Sequence, residues 1–224
     1  MWLAGLVTTS RIALLTGALA LAGVGVRLLL QRRARPRPEL EPPGGPCWHQ
    51  DPARYSPSPQ DWPLAASAMY ALDHGFCWDR VELGLDTAQQ VLDGWGITSS
   101  EGLREEMDWL RFCGQRVLAL RDGRTEADYH AFDWVWLILL ARAGFTAQLI
   151  SVEEMQTGFN DAQTVLQARY SSWAELGETW MAGCAAYLAA RDGTALSEHL
   201  RHLGPQLRLL QTPPRGPWAR VPWQ

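Results

Sequence analysis

Asp133 stands between Phe132 and Trp134, at the head of the apolar run WVWLILLA from Trp134 to Ala141. A carboxylate in such surroundings must be paired, hydrogen-bonded or protonated, because desolvating it alone costs several kcal/mol. Arg116 and Arg142 are its candidate partners. Two roles are open to it: a charge that fixes helix packing, or a ligand-facing group. The second includes a hydrolase-type centre that uses Asp133 with Arg116 in a pocket.

The other constellations carry less. Ser171 and Ser172 precede Trp173 without the Gly-x-Ser-x-Gly elbow of a serine nucleophile, and a helix cap accounts for Ser172. His199 and His202, beside Glu198, would place two metal ligands on one helix face. Arg201 between them and the lack of a third ligand make a solvated face the better reading, so no metal and no cofactor is expected. Glu105, Glu106 and Asp108 read as an acidic, solvated helix face. His74 and His130 are isolated. Gly94-Trp95-Gly96 lacks the lysine and the strand-loop-helix setting of a phosphate loop.

The elements that must position these residues are helices. Asp86-x-x-Gln89, Thr98-x-x-Glu101, Ser151-x-x-Glu154 and Ser172-x-x-Glu175 each match a capping box, in which cap and third residue satisfy orphan backbone donors reciprocally. Apolar positions at helical spacing follow, as in Val152, Met155, Phe159, Ala162, Val165 and Leu166, and in Trp173, Leu176, Trp180, Cys184, Tyr187 and Leu188. Further helices are expected over 62–76, 87–94, 99–120 and 194–210, the last interrupted near Pro205. No segment alternates as a strand does. Trp134–Ala141, apolar all round, marks a helix surrounded by others and is too short to span a bilayer. The fold class is all-α.

Charge divides the chain. Residues 1–37 hold six arginines and no acid, whereas the rest holds 14 arginines against 24 carboxylates, a net of −10. An acidic domain repels a nucleic-acid backbone, so no nucleic-acid partner is expected. Cys47, Cys77, Cys113 and Cys184 are widely spaced with no C-x-x-C, which argues against a disulfide framework or a zinc site and for buried free thiols.

Residues 12–30 are apolar apart from Thr16, Arg27 and glycines, and a helix of that length reaches roughly 28 Å, close to a bilayer core. Arg27 lies near the end of the span, where it can snorkel. A cleaved signal, with Ala18-Leu19-Ala20 as its processing site, is the competing reading. The arginines Arg32, Arg33, Arg35 and Arg37 follow the apolar run rather than precede it, which favours an uncleaved anchor and a cytoplasmic C-terminal side. The lipid bilayer is therefore an expected partner, met through residues 12–30. Residues 31–63 contain nine of the fourteen prolines and read as a semi-stiff spacer. The expected organisation is an anchor over 1–30, a linker over 31–60 and a helical domain over 61–224.

An ordered series of short motifs resembles a bacterial family, the domain of unknown function 1266 family. It runs Leu92-Asp93-Gly94-Trp95-Gly96-Ile97, Met107-Asp108-Trp109-Leu110, Gly114-Gln115-Arg116, Phe132-Asp133 and Gly144-Phe145. Ile150-Ser151-x-Glu153-Glu154, Ser171-Ser172-Trp173-x-Glu175-Leu176-Gly177 and Pro217-Trp218-x-x-x-Pro222-Trp223 complete it. The resemblance covers about residues 64–224 and implies a helical fold with no assigned activity. Family members commonly carry histidine where Gln115 stands, and often arginine where Trp136 and Cys184 stand. If those residues form a polar site, the resemblance implies that Arg116, Asp133, Glu154 and Trp173 are what remains of it.

The functional expectation is a membrane-tethered binding or regulatory module at a bacterial inner membrane, with a protein partner of unstated identity. The alternatives are the hydrolase already described and a component of a toxin–immunity or secretion-associated system.

Overall fold

The computed structural model describes residues 46–125, 127–190 and 196–224. The anchor expected at 12–30, and the side chains of Glu198, His199 and His202, lie outside the described residues. Among the described residues the chain is helical, with no strand and no helix long and apolar enough to cross a membrane. In chain order the α-helices are α1 (Asp61–Ala66), α2 (Ala68–His74), α3 (Leu85–Gly94), α4 (Ser100–Phe112), α5 (Gly114–Arg121), α6 (Ala127–Thr146), α7 (Val152–Arg169), α8 (Trp173–Ala189) and α9 (Leu196–Gln211). A 3-10 turn at Pro217–Ala219 follows.

The architecture is organised around α6. Every residue from Tyr129 to Gly144 is buried, as an all-round apolar helix requires. It packs most extensively against α8 and α7, then against α3, α4 and α5. Two of the four expected capping boxes form as caps. Ser151 makes the full reciprocal box with Glu154, and Ser172 accepts from the Glu175 amide while the Glu175 carboxylate turns back to Ser171.

The other two shift. At α4 the cap is Ser99, which accepts from Gly102, rather than Thr98. At α3 the cap position is Gly84, so Asp86 lies inside the first turn, where its charge complements the helix dipole.

Two expected helices are each divided. The stretch 62–76 breaks at Ser67, whose buried hydroxyl donates to the Leu64 carbonyl and accepts from Arg142. The stretch 99–120 breaks at Cys113 and Gly114, and Gly114 has φ +63°. Conversely, α9 runs unbroken through Pro205. A single proline removes one backbone bond, and the buried row Leu203, Leu207 and Leu210 holds the helix against the domain regardless.

The C-terminal segment closes the domain with tryptophan. Trp173 on α8 stacks on Trp62 at 4.9 Å and on Trp218 at 5.7 Å, and meets Trp223 edge-on at 4.9 Å. Three of these four indole N–H groups bond to carbonyls far off in sequence: Trp173 to Val221, Trp62 to Trp223 and Trp218 to Ala65. Gly177, one turn after Trp173, leaves room for the Trp218 ring, which a Cβ there would meet at 2.8 Å.

Of the stretch expected as linker, residues 46–60 are described, and they pack on the domain. Trp48 and Tyr55 lie edge-on to the fully buried Trp78. The amides of His49 and Gln50 donate to the two oxygens of Asp79.

Candidate functional site

The break between α4 and α5 creates the polar centre of the domain. A helix end leaves carbonyls without partners, and a helix start leaves amides without partners. Where two helices meet at a buried kink, both sets must be answered by side chains. The amides of Gln115 and Arg116, in the first turn of α5, donate to Asp133 Oδ1 at 2.9 Å and Oδ2 at 3.1 Å. The Arg116 guanidinium donates to the Leu110 carbonyl at 2.7 Å and to the Arg111 carbonyl, capping the end of α4. It also donates to Asp133 Oδ2 at 3.0 Å. One acid and one base thus satisfy both helix ends and each other.

Gly114 makes the geometry possible. Its positive φ turns the chain so that consecutive amides face the carboxylate, and a Cβ at this position would lie 2.1 Å from Asp133 Oδ2. Asp133 is 0% exposed, and the Arg116 guanidinium lies 5.5 Å from the Trp134 ring centroid. Burial pushes the Asp133 carboxyl up to about 6, against the pull of the two amides and the guanidinium. The folded chain therefore holds this proton to a higher pH than the unfolded chain. Stability that depends on it falls as pH rises from about 4 to about 6.

Of the sequence-nominated residues, Asp133 and Arg116 are together. Glu154 belongs to a different group. Its carboxylate closes the α7 capping box and accepts from Arg104 Nε at 2.6 Å, joining α4 to α7 at the surface. That hydrogen bond, with the Ser151 amide, holds the Glu154 carboxyl down to about 2. Trp173 is the hub of the tryptophan cluster, bonded through its indole to Val221.

Arg142 is not the partner of Asp133. Nine residues along a helix is half a turn round and roughly 13 Å along the axis, a spacing visible in the sequence. Arg142 is fully buried and donates to Ser67 Oγ at 2.8 Å, to the Cys77 carbonyl at 3.2 Å, to the Val81 carbonyl at 3.3 Å and to the Arg80 carbonyl. It also sits 4.9 Å from the Phe76 ring centroid. Desolvation lowers this guanidinium to about 9. Thr146, one turn on, donates to the Arg142 carbonyl and accepts from the Leu83 amide. The C-terminal half of α6 thereby fixes the connection between α2 and α3. Sequence reasoning missed this second polar centre because three of its four acceptors are main-chain carbonyls, which leave no residue-type signature.

Residues 115–223 match the family model described as a protein of unknown function, DUF1266. That segment belongs to the DUF1266 family. The matched DUF1266 segment contains Arg116, Asp133, Arg142, Glu154, Trp173 and the C-terminal tryptophans. No curated protein and no solved structure matches the chain. Of the three positions at which it departs from the pattern expected of DUF1266 members, Trp136 and Cys184 are buried and Gln115 is partly so. The Gln115 amide is on Asp133, Trp136 lies against Tyr70 at 4.6 Å and Trp95 at 5.1 Å, and Cys184 is buried.

Among the described residues, no group of three or more histidine, cysteine or acidic residues is placed to hold a metal. His130, one turn before Asp133, is buried beside Trp134 and Tyr170, and its Nδ1 has no hydrogen-bond partner. Burial first, then the charges of Arg169 and Arg116, lower its pKa to about 4. It is a neutral imidazole at physiological pH. The acidic face of α4 is only partly solvated: Glu106 is half-buried, and its carboxyl rises to about 7 through burial and the adjacent Glu105.

Proposed function

We propose that this chain is a membrane-tethered helical module that acts by binding a partner protein, with Asp133 and Arg116 holding the fold rather than reacting. One observation carries the reading. Asp133 has no exposed surface, and both its oxygens are occupied by two helix amides and a guanidinium. A catalytic acid needs a path to substrate, and this carboxylate, with no exposed surface, has none. The acidic charge of the domain supports a protein rather than a nucleic-acid partner. Its surface also offers apolar contact: Phe112 is 77% exposed, with Leu120 and Val117 exposed on α5.

The tether rests on residues 12–30 and the arginines that follow them. Bacterial cells expressing the full chain test it by fractionation. The chain should stay with the membranes through a high-salt wash, and a variant lacking residues 1–31 should appear in the soluble fraction. Protease added outside spheroplasts should spare the domain. A full chain found in the soluble fraction, or a domain digested from outside, contradicts this reading. For the partner, membranes solubilised in detergent should yield a protein that copurifies with the full chain and is lost with Phe112→Ser.

A further inference from the structure

The segment 47–50 runs beside residues 77–79 in step. The Trp78 amide donates to the Cys47 carbonyl at 3.3 Å, the Trp48 ring meets the Trp78 ring at 4.8 Å, and the amides of His49 and Gln50 meet Asp79. In this register Cys47 falls opposite Cys77, and the Cys47 side chain is near enough to raise the Cys77 pKa. Cys47 is exposed and Cys77 is partly so, whereas only Cys184 of the four cysteines is buried. The expectation of buried free thiols thus holds for Cys184 alone. Nothing in the spacing signals the pair, because a 30-residue separation resembles no cysteine motif.

We propose that Cys47 and Cys77 are a site of reversible oxidation, forming a disulfide that staples the segment entering the domain to the connection held by Arg142. The oxidant is a low-molecular-weight disulfide of the glutathione class. The Cys47 thiolate attacks one sulfur of that disulfide, giving a mixed disulfide and one released thiolate. The Cys77 thiolate then attacks the Cys47 sulfur, closing the protein disulfide and releasing the second small thiol. The protein loses two electrons and two protons; the small disulfide gains both as two thiols. Exposure makes Cys47 the first nucleophile. Burial, with the Cys47 side chain beside it, pushes the Cys77 thiol up to about 12, so closure is slow at neutral pH and quickens as pH rises.

The surroundings suit a cross-link that forms without rebuilding the fold. Asp79, Trp78 and the Trp48 and Tyr55 rings already hold both backbones in place. Closing a loop of this length restricts the unfolded chain, so the oxidised protein unfolds at a higher temperature.

The test uses the full chain, purified reduced and incubated folded with oxidised glutathione. It is then quenched in acid and examined by intact mass and peptide mapping. The expected product has lost two hydrogens, carries a peptide joining Cys47 to Cys77, melts higher than the reduced chain and reverts with dithiothreitol. Cys113→Ser leaves the product unchanged, whereas Cys77→Ser stops at a glutathione adduct on Cys47. Wild-type chain that still carries the Cys47 adduct without the internal link after long incubation at about pH 9, where closure is fast, overturns the proposal. So does a link from either cysteine to Cys113 or Cys184. The wild-type map decides the matter by itself, whatever the stability of the variants.

Discussion

Gly114 leaves space for Asp133: a Cβ on the glycine would sit 2.1 Å from the carboxylate oxygen, at a backbone φ of +63°. Both facts penalise the same substitution. Gly114→Ala must move the carboxylate or the turn and also bears the cost of a left-handed residue, so it should destabilise the domain by about 2–4 kcal/mol. Urea unfolding followed by tryptophan fluorescence checks this. A loss under about 0.5 kcal/mol, the range of an ordinary surface substitution, would show that the kink does not depend on glycine.

Arg142→Met keeps an unbranched apolar stem, shorter than the original, and removes the donors. The carbonyls of Cys77, Arg80 and Val81 and the Ser67 hydroxyl then lose a shared partner. The expected loss is about 3–5 kcal/mol, drawn from buried acceptors left unpaired. Hydrogen exchange should localise it, with the Leu83 and Trp78 amides losing protection before those of α6. Uniform loss across the domain would mean that Arg142 supports the core generally rather than this connection.

His130 sets a pH dependence whose sign follows from its depressed pKa. The unfolded chain binds a proton near pH 6.5, the folded chain only near 4. Stability from neutral His130 is therefore present above pH 6.5 and is lost as pH falls toward 4. Asp133 and Glu106, both raised, act in the opposite sense over overlapping ranges, so the wild-type curve alone hides the effect. The difference between wild type and His130→Phe isolates it. That difference should shrink by about 2–3 kcal/mol on acidification from pH 6.5 to 4, because each pH step of one between the two midpoints is worth about 1.4 kcal/mol. A difference independent of pH would place His130 in contact with solvent.

Gly177→Ala places a methyl 2.8 Å from the Trp218 ring. The C-terminal segment is held by indole bonds from Trp62, Trp173 and Trp218, and the clash should loosen it. Limited proteolysis should then cut near residues 212–216 well before the core opens, with a stability loss of about 1–3 kcal/mol. Unchanged cleavage would show that the ring shifts without cost.

The parts of this fold legible in the sequence are those set by local pattern. WVWLILLA announced the central helix because an apolar surface on all sides has nowhere else to go, and Ser151 and Ser172 announced their helix starts through contacts three residues away. The parts not legible are set from afar. Helix α4 ends where Asp133, on another helix, draws the next two amides toward itself, and α1 ends where Arg142 reaches Ser67. The cap of α4 moved by one residue because Thr98 and Ser99 both offer a hydroxyl, and the pattern does not separate them. Within the candidate site, the Asp133–Arg116 pair followed from the cost of an unpaired carboxylate. Glu154 and Trp173 were nominated by family likeness, and their contacts place the first in a surface cap and the second in an aromatic hub, apart from the Asp133–Arg116 pair.

The proposed role of the acid–base pair at the α4–α5 kink is to hold the fold, and equilibrium unfolding of Asp133→Ala against wild type at neutral pH tests this most directly. The variant leaves Arg116 buried without its carboxylate and two α5 amides without an acceptor, so it should lose about 3–5 kcal/mol or fail to fold. The double replacement Asp133→Leu with Arg116→Met should recover part of that loss. A stable, fully folded Asp133→Ala domain, within about 0.5 kcal/mol of wild type, would contradict the role of the pair and return Asp133 to the functional candidates.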